Sequence, residues 1–181
     1  MAKPSRRAVF LDRDGVVIKE VNYLSRPDQL KLIPGSARAI ALLRRAGFKV
    51  VVITNQSGVA RGYLTLKTLR AVHALLLRKL RAQGAGLDGL YFCPHLPARG
   101  CACRKPALGM LKKARKRFGL DLSRSYFVGD STTDTLTAKR AGCTAVLVRT
   151  GKAGRDGVYR AVPHKTCRDL AAAARWITES A

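Results

Sequence analysis

Two aspartates open the chemistry of this sequence. Asp12 and Asp14 stand one residue apart and lead into a glycine, in the run Asp12-Arg-Asp-Gly15. In an extended segment, side chains two residues apart lie on the same side, so both carboxylates can face a single site, and the glycine permits the turn that follows. A phosphate dianion brought to such a pair meets a repulsion of about 4 kcal/mol per charge pair at 4 Å and an effective dielectric near 20. A divalent cation cancels it. Asp12, the backbone carbonyl of Asp14 and Asp130 make an oxygen donor set suited to Mg²⁺, which keeps several of its waters. Thr54 offers a hydroxyl, the backbone N–H groups of Asn55, Gln56 and Ser57 can cradle phosphate oxygens as a nest, and Lys105 adds a compact positive charge. These residue types in this order point to phosphoryl transfer.

A second constellation follows at Cys93, His95, Cys101 and Cys103. Three of the chain's five cysteines fall in this short stretch, and an odd total argues against a closed disulfide framework. Three thiolates and one imidazole complete a tetrahedral Cys₃His set, the pattern of structural Zn²⁺. The loop runs directly into Arg104 and Lys105, so zinc here would fix the position of Lys105 and take no part in catalysis.

The elements that must carry these residues alternate in type. Apolar runs predict strands at Ala8–Leu11, 49–53, 90–92, 125–128 and 144–148. Between them, helical periodicity predicts a helix from Ser36 to Gly47, one from Thr65 to Gly84 carrying Leu69, Val72, Leu76 and Leu80 inward, one with Met110, Leu111, Ala114 and Phe118 on a single face, and a last one over 169–177. Such alternation predicts an α/β fold: a three-layer, Rossmann-like parallel sheet with helices on both faces. In open α/β sheets, ligands bind beyond the carboxyl ends of the strands, where Asp12 and Asp14, Thr54 to Gly58, and Gly129-Asp130 with Asp134 all fall. His73, near the apolar face of the long helix, reads as a core or boundary histidine.

With 181 residues the chain is read as one domain, 1–181. Its 35 Lys and Arg against 11 Asp and Glu give a net charge of +24, which favours anionic partners. One Trp, five Tyr and five Phe are too few for a single-strand stacking platform, so nucleic acid is not the expected partner. The basic face formed by Lys112, Lys113, Arg115, Lys116 and Arg117 reads as solvated. No apolar run is long enough to span a membrane, and the basic start lacks an export-signal core. A cytoplasmic monomer acting on a small phosphorylated sugar is expected.

Asp12-Arg-Asp-Gly15, Thr54, Lys105 and Gly129-Asp130-Ser-Thr-Thr-Asp134 together resemble the four motifs of the haloacid-dehalogenase-like phosphohydrolases. The resemblance implies that Asp12 is a nucleophile forming an aspartyl-phosphate, that Asp14 serves as general acid and then base, and that Thr54 and Lys105 stabilise the transferring group. Asp134 is implied as an outer support, acting on Mg²⁺ through water or orienting Lys105. The spacing leaves no room for the cap domain often inserted in this superfamily. The cysteine loop further resembles the zinc-containing D-glycero-D-manno-heptose-1,7-bisphosphate 7-phosphatases and the related histidinol-phosphate phosphatases. Val21-Asn-Tyr-Leu-Ser-Arg-Pro27 and Thr54-Asn-Gln-Ser-Gly-Val-Ala-Arg-Gly62 are similar to the heptose group. They imply Tyr23, Arg61 and Arg104 as sugar and second-phosphate contacts, beside Asn55, Gln56 and Ser57. Three features depart: a short span from His95 to Cys101 closer to the histidinol-phosphate branch, Ile18 in place of an Asn, and Ser131 in place of a Lys. A polynucleotide 3′-phosphatase and a non-catalytic, zinc-stabilised nucleic-acid-binding protein remain as alternatives.

Overall fold

The computed structural model describes residues 6–180, so most of the basic start lies outside the described residues. Six strands form one parallel sheet: β1 (Ala8–Leu11), β2 (Lys49–Asn55), β3 (Gly89–Cys93), β4 (Tyr126–Gly129), β5 (Thr144–Val148) and β6 (Lys165–Cys167), in the order β3-β2-β1-β4-β5-β6. The order reverses direction at β1, which lies between β2 and β4. That is the switch point at which doubly wound sheets open a crevice.

Alternate residues of the central strands serve opposite layers. Val9, Leu11, Val50, Val52 and Val128 pack under α1 (Ser36–Arg45), α2 (Leu66–Arg81) and α5 (Leu170–Glu179). Ala8, Phe10, Val51, Ile53 and Phe127 pack under α3 (Gly109–Phe118) and α4 (Thr132–Ala141). Burial on both faces is why β1 and β2 read as unbroken apolar runs. The expected three-layer α/β architecture is the one observed, and no cap interrupts the described residues. Between Gly15 and Gly35 the only helical turn is a 3₁₀ turn at Pro27–Gln29.

Most predicted elements are present within two residues of their bounds. Apart from the short 3₁₀ turns, one α-helix and one strand went unpredicted. α4 is rich in β-branched threonine and offers only a weak apolar face, but Ser131 caps it, accepting from the Asp134 N–H while Asp134 accepts from the Ser131 N–H. β6 is a three-residue edge strand, too short for a periodicity. No helix among the described residues is long and apolar enough to cross a membrane.

Candidate active site

The first loop leaves β1 and is tied at once to its neighbour: the Asp12 N–H donates to the Val128 carbonyl at 3.0 Å. The chain then turns tightly, the Gly15 N–H reaching the Ile18 carbonyl at 2.8 Å. Gly15 has φ of 74°, and a Cβ there would lie 2.5 Å from Asp130 Oδ2. Only glycine lets the two loops approach so closely. The Asp130 carboxylate is itself held by the Lys152 N–H at 2.6 Å.

A cleft of about 410 Å³ opens over these strand ends, lined by Asp12, Asp14, Lys105, Asp130 and Asp134. Tyr23, Asn55, Gln56, Ser57, Arg61 and Arg104 line it as well. Of the predicted site residues outside the cysteine cluster, Thr54 alone is absent from the wall. Its side chain is 1% exposed, and its Oγ1 accepts from Gln56 Nε2 at 2.9 Å.

Lys105 is the electrostatic hub. Nearly buried, its Nζ lies 3.0 Å from Asp12 Oδ1 and 2.6 Å from Asp134 Oδ1. Burial opposes its charge, yet the two carboxylates outweigh burial and hold the ammonium above its ordinary range. Burial pushes the Asp12 carboxyl up to about 7, with Lys105 pulling it back and Asp134, Asp130 and Asp14 pushing it further up. Burial, followed by Asp134, lifts Asp130 to about 6. Carboxyl groups raised by burial, and further by neighbouring carboxylates, favour the neutral form until a positive charge is brought to them.

The donor chemistry fits a divalent cation. Oxygen atoms of Asp12, Asp130 and Asp134 lie within 4.8 Å of one another. Asp134, however, is already engaged on both oxygens, by Lys105 Nζ and by Ser131 Oγ at 2.6 Å. It therefore fits the outer, Lys105-orienting place expected for it, leaving Asp12 and Asp130 as the carboxylates open to a hard cation. Ser131, the departure noted in the sequence, holds Asp134 in place. Ile18, the other substitution, is fully buried in the core and faces away from the cleft chemistry.

The phosphate cradle needs a correction. The Gln56 N–H donates to the Cys93 carbonyl at 2.7 Å and is spent. Its side chain is spent too: Nε2 donates to Asp14 Oδ2 at 2.8 Å and to Thr54, while Oε1 accepts from Arg13. Gln56 thus braces Asp14 and offers no donor to a phosphate. The Asn55 side chain clamps the Lys105 backbone by bonds of 3.0 and 3.2 Å, tying the lysine to the end of β2. Without Gln56, the cradle narrows to Asn55 and Ser57.

The cysteine cluster assembles as expected. Cys93, His95, Cys101 and Cys103 bring their donor atoms to 3.1–3.6 Å of one another in the contacts Cys93–His95, Cys93–Cys101, Cys101–Cys103, Cys103–Cys93 and Cys103–His95. Ligands about 2.3 Å from a tetrahedral zinc stand roughly 3.8 Å apart, so the set fits the ion after slight expansion. All five cysteines are free of disulfides. Arg104 Nη1 donates to the His95 carbonyl at 3.0 Å, linking this loop to the cleft wall.

At the rim, Tyr23 and Tyr63 meet edge to face with centroids 4.6 Å apart, and the Arg61 guanidinium lies 5.9 Å from the Tyr23 ring. Sequence reasoning missed several lining residues, namely Arg13, Glu20, Lys152, Asp156 and Tyr159. Asp156 accepts from the N–H and hydroxyl of Thr132 at the start of α4, drawing the loop after β5 to the cleft. No local motif marks Lys152, Asp156 and Tyr159, whose placement depends on that long-range docking, whereas Arg13 lies inside the Asp12-Arg-Asp-Gly15 run.

Family models place the chain in context. One described as HAD-hydrolase-like matches residues 102–173, and one described as haloacid dehalogenase-like hydrolase matches residues 9–72. The D-glycero-beta-D-manno-heptose-1,7-bisphosphate 7-phosphatase of Bordetella bronchiseptica is 41% identical over 97% of this chain and 99% of its own length. The Pseudomonas aeruginosa enzyme of the same name is 44% identical over 94% of this chain and 97% of its own. A crystal structure of the B. bronchiseptica phosphatase, complexed with magnesium and phosphate, superposes with a TM-score of 0.89 at 40% identity, covering 97% of this chain and 99% of that one. Similarity of this extent, over a cleft that carries the expected carboxylates and lysine, makes the chain a member of the D-glycero-D-manno-heptose-1,7-bisphosphate 7-phosphatase family of haloacid dehalogenase-like hydrolases.

Proposed function

We propose that this protein hydrolyses a sugar phosphate monoester, the 7-phosphate of D-glycero-D-manno-heptose 1,7-bisphosphate, by way of a phosphorylated Asp12. The carrying observation is the shared cleft in which Asp12 stands 3.0 Å from Lys105, with Asp14 and Asp130 in the same wall. A magnesium ion held by Asp12, Asp130 and the Asp14 carbonyl supplies positive charge against the phosphoryl oxygens. Asp12 attacks phosphorus, and the sugar oxygen leaves with the Asp14 proton, so one difficult displacement becomes two easier ones. Asp14, now ionised, takes a proton from the water that releases inorganic phosphate. Lys105 faces the phosphoryl group with a fixed charge, and Asp134 keeps it aimed. Arg61 and Arg104 bind the second phosphate, and Tyr23 packs on the sugar.

The names of the relatives support this substrate, and the cationic rim suits a bisphosphate. The test is a comparison of kcat/KM, with Mg²⁺, for heptose bisphosphate, histidinol phosphate and a 3′-phosphorylated oligonucleotide. The heptose substrate should lead by at least about tenfold, about 1.4 kcal/mol of transition-state binding, and Asp12→Asn should abolish turnover. A preference for either competitor overturns the substrate; normal turnover by Asp12→Asn overturns the nucleophile.

A further inference from the structure

The reaction as described leaves one buried cation without a task. Arg13 stands between the two loop aspartates yet is only 1% exposed, and a guanidinium so deeply buried is tolerated only when its N–H groups are matched. Its matches join the cleft wall, at Asp14 and Gln56, to His73 behind it. Nε donates to Asp14 at 3.2 Å, and Nη2 donates to Asp14 Oδ1 and to Gln56 Oε1, each at 2.9 Å. Nη1 donates to His73 Nε2 at 3.1 Å. Asp14 is thus gripped by Arg13 on one side and Gln56 on the other. The Gln56 amide cannot flip without losing its bonds to Arg13, Asp14 and Thr54.

His73 enters this network from a different element, 60 residues along the chain on α2. It is 7% exposed and does not line the cleft. Its ring packs against Phe92 with centroids 5.4 Å apart, and Phe92 pairs with Thr54 across β2 and β3. A guanidinium only donates, so Nε2 must present its lone pair and the proton of the neutral ring must sit on Nδ1. Burial first, and Arg13 second, hold this imidazole down at about 3, in keeping with a permanently neutral acceptor. An ordinary core histidine would have no reason to end on the cation that grips Asp14.

We propose that His73 is a positioning residue for phosphoryl transfer: by accepting from Arg13 Nη1 it fixes the guanidinium that, with Gln56, aims the Asp14 carboxyl at the leaving oxygen. This rests on the reading of Asp14 as general acid. A p-nitrophenolate leaving group departs without a proton, whereas a sugar alkoxide needs one. The quantity kcat/KM reports steps up to leaving-group departure, so the ratio between a sugar phosphate and p-nitrophenyl phosphate isolates proton delivery from general damage.

The experiment compares His73→Leu, His73→Phe, His73→Gln and Asp14→Asn on both substrates with Mg²⁺, each variant checked for folding by circular dichroism. The expected result is a fall of about tenfold in kcat/KM for the sugar phosphate in the Leu and Phe variants, part of the 10²–10⁴ that a positioned acid supplies. The p-nitrophenyl ester should lose less than about twofold, and His73→Gln, whose amide oxygen can accept, should recover most of the loss. If Asp14→Asn shows the leaving-group split and both apolar variants do not, the role of His73 is overturned and the acid stands. If Asp14→Asn itself slows both substrates alike, the reading of Asp14 fails, and the proposal with it. A split that His73→Gln does not repair also overturns the acceptor role.

Discussion

Lys105 and Asp134 form the shortest ion pair of the cleft, 2.6 Å between Nζ and Oδ1, with both side chains almost fully withdrawn from solvent. The pair survives burial because each partner is matched again: Lys105 also faces Asp12, and Asp134 also accepts from Ser131. Replacing Lys105 by Met keeps the length of the side chain and removes the charge. The buried Asp134 and the partly buried Asp12 then lose their cation, which costs about 3–5 kcal/mol. At roughly 2–4 °C per kcal/mol for a chain of this size, thermal unfolding should show a Tm lower by roughly 10 °C. Phosphate release should fall at least about 10²-fold, as when one oxyanion-stabilising donor is removed. A Lys105→Met protein of unchanged Tm would show that the pair contributes no net stability.

Magnesium should stabilise the protein in a pH-dependent way. The Asp12 carboxyl rises from 3.8 in the unfolded chain to about 7 in the folded, metal-free one. Between those values the folded chain holds a proton that the unfolded chain has released, so this group's contribution to stability is lost as pH rises from about 4 through 7. Asp130 acts in the same direction up to about 6. A cation binds the ionised carboxylates and reverses the loss. The rise in Tm on adding Mg²⁺ should therefore be full at pH 8, reduced at pH 6.5 and nearly absent at pH 5. A Mg²⁺ effect of equal size at pH 5 and 8 would contradict the assignment of these ligands. Other buried groups, His73 among them, cancel when each pH is compared with and without the ion.

Gly15 permits the close approach of the first loop to Asp130. Its φ of 74° costs a residue with a Cβ about 1–2 kcal/mol, and that Cβ would sit 2.5 Å from Asp130 Oδ2 and 3.0 Å from the Gly151 backbone. Asp130 cannot retreat easily, since the Lys152 N–H holds the same oxygen. In Gly15→Ala the carboxylate must turn. The concentration of Mg²⁺ for half-maximal activity should increase by about tenfold, equivalent to about 1.4 kcal/mol of lost metal affinity. An unchanged Mg²⁺ titration would rule out Asp130 as a ligand sensitive to this contact.

What could be read from the chain divides along sequence separation. β1 and β2 declare themselves because both faces are buried, and the cysteine loop because its four ligands lie within eleven positions of one another. Asp12, Asp14 and Asp130 could be placed because strand ends in a parallel sheet converge on the switch point. Arg13 could not: a charged residue between two aspartates looks solvated until His73, Gln56 and Asp14 close around it. The commitment of Gln56 was hidden for the same reason, since its N–H goes to Cys93 and its side chain to Arg13, each on another element. α4 escaped notice because its helix is specified by caps, Ser131 at one end and Gly142 at φ 73° at the other, more than by apolar spacing.

The zinc cluster should report on activity through Lys105. Cys93 ends β3, Cys103 stands two residues before Lys105, and Asn55 clamps the Lys105 backbone from β2. A metal held there would close a loop whose far end is Lys105, and its loss would free that end while leaving the sheet intact. Purified protein should contain about one zinc per chain by elemental analysis. Cys101→Ser removes a half-exposed ligand with little change in packing. It should lower zinc content to less than about half, reduce Tm, and reduce kcat in a way that excess Mg²⁺ does not repair. Cys143→Ser, at a buried thiol outside the cluster, should leave the zinc content unchanged. Full activity in a Cys101→Ser protein shown to be free of zinc would mean that Lys105 is held by Asn55 and Asp134 alone, and that the cluster serves stability without touching catalysis.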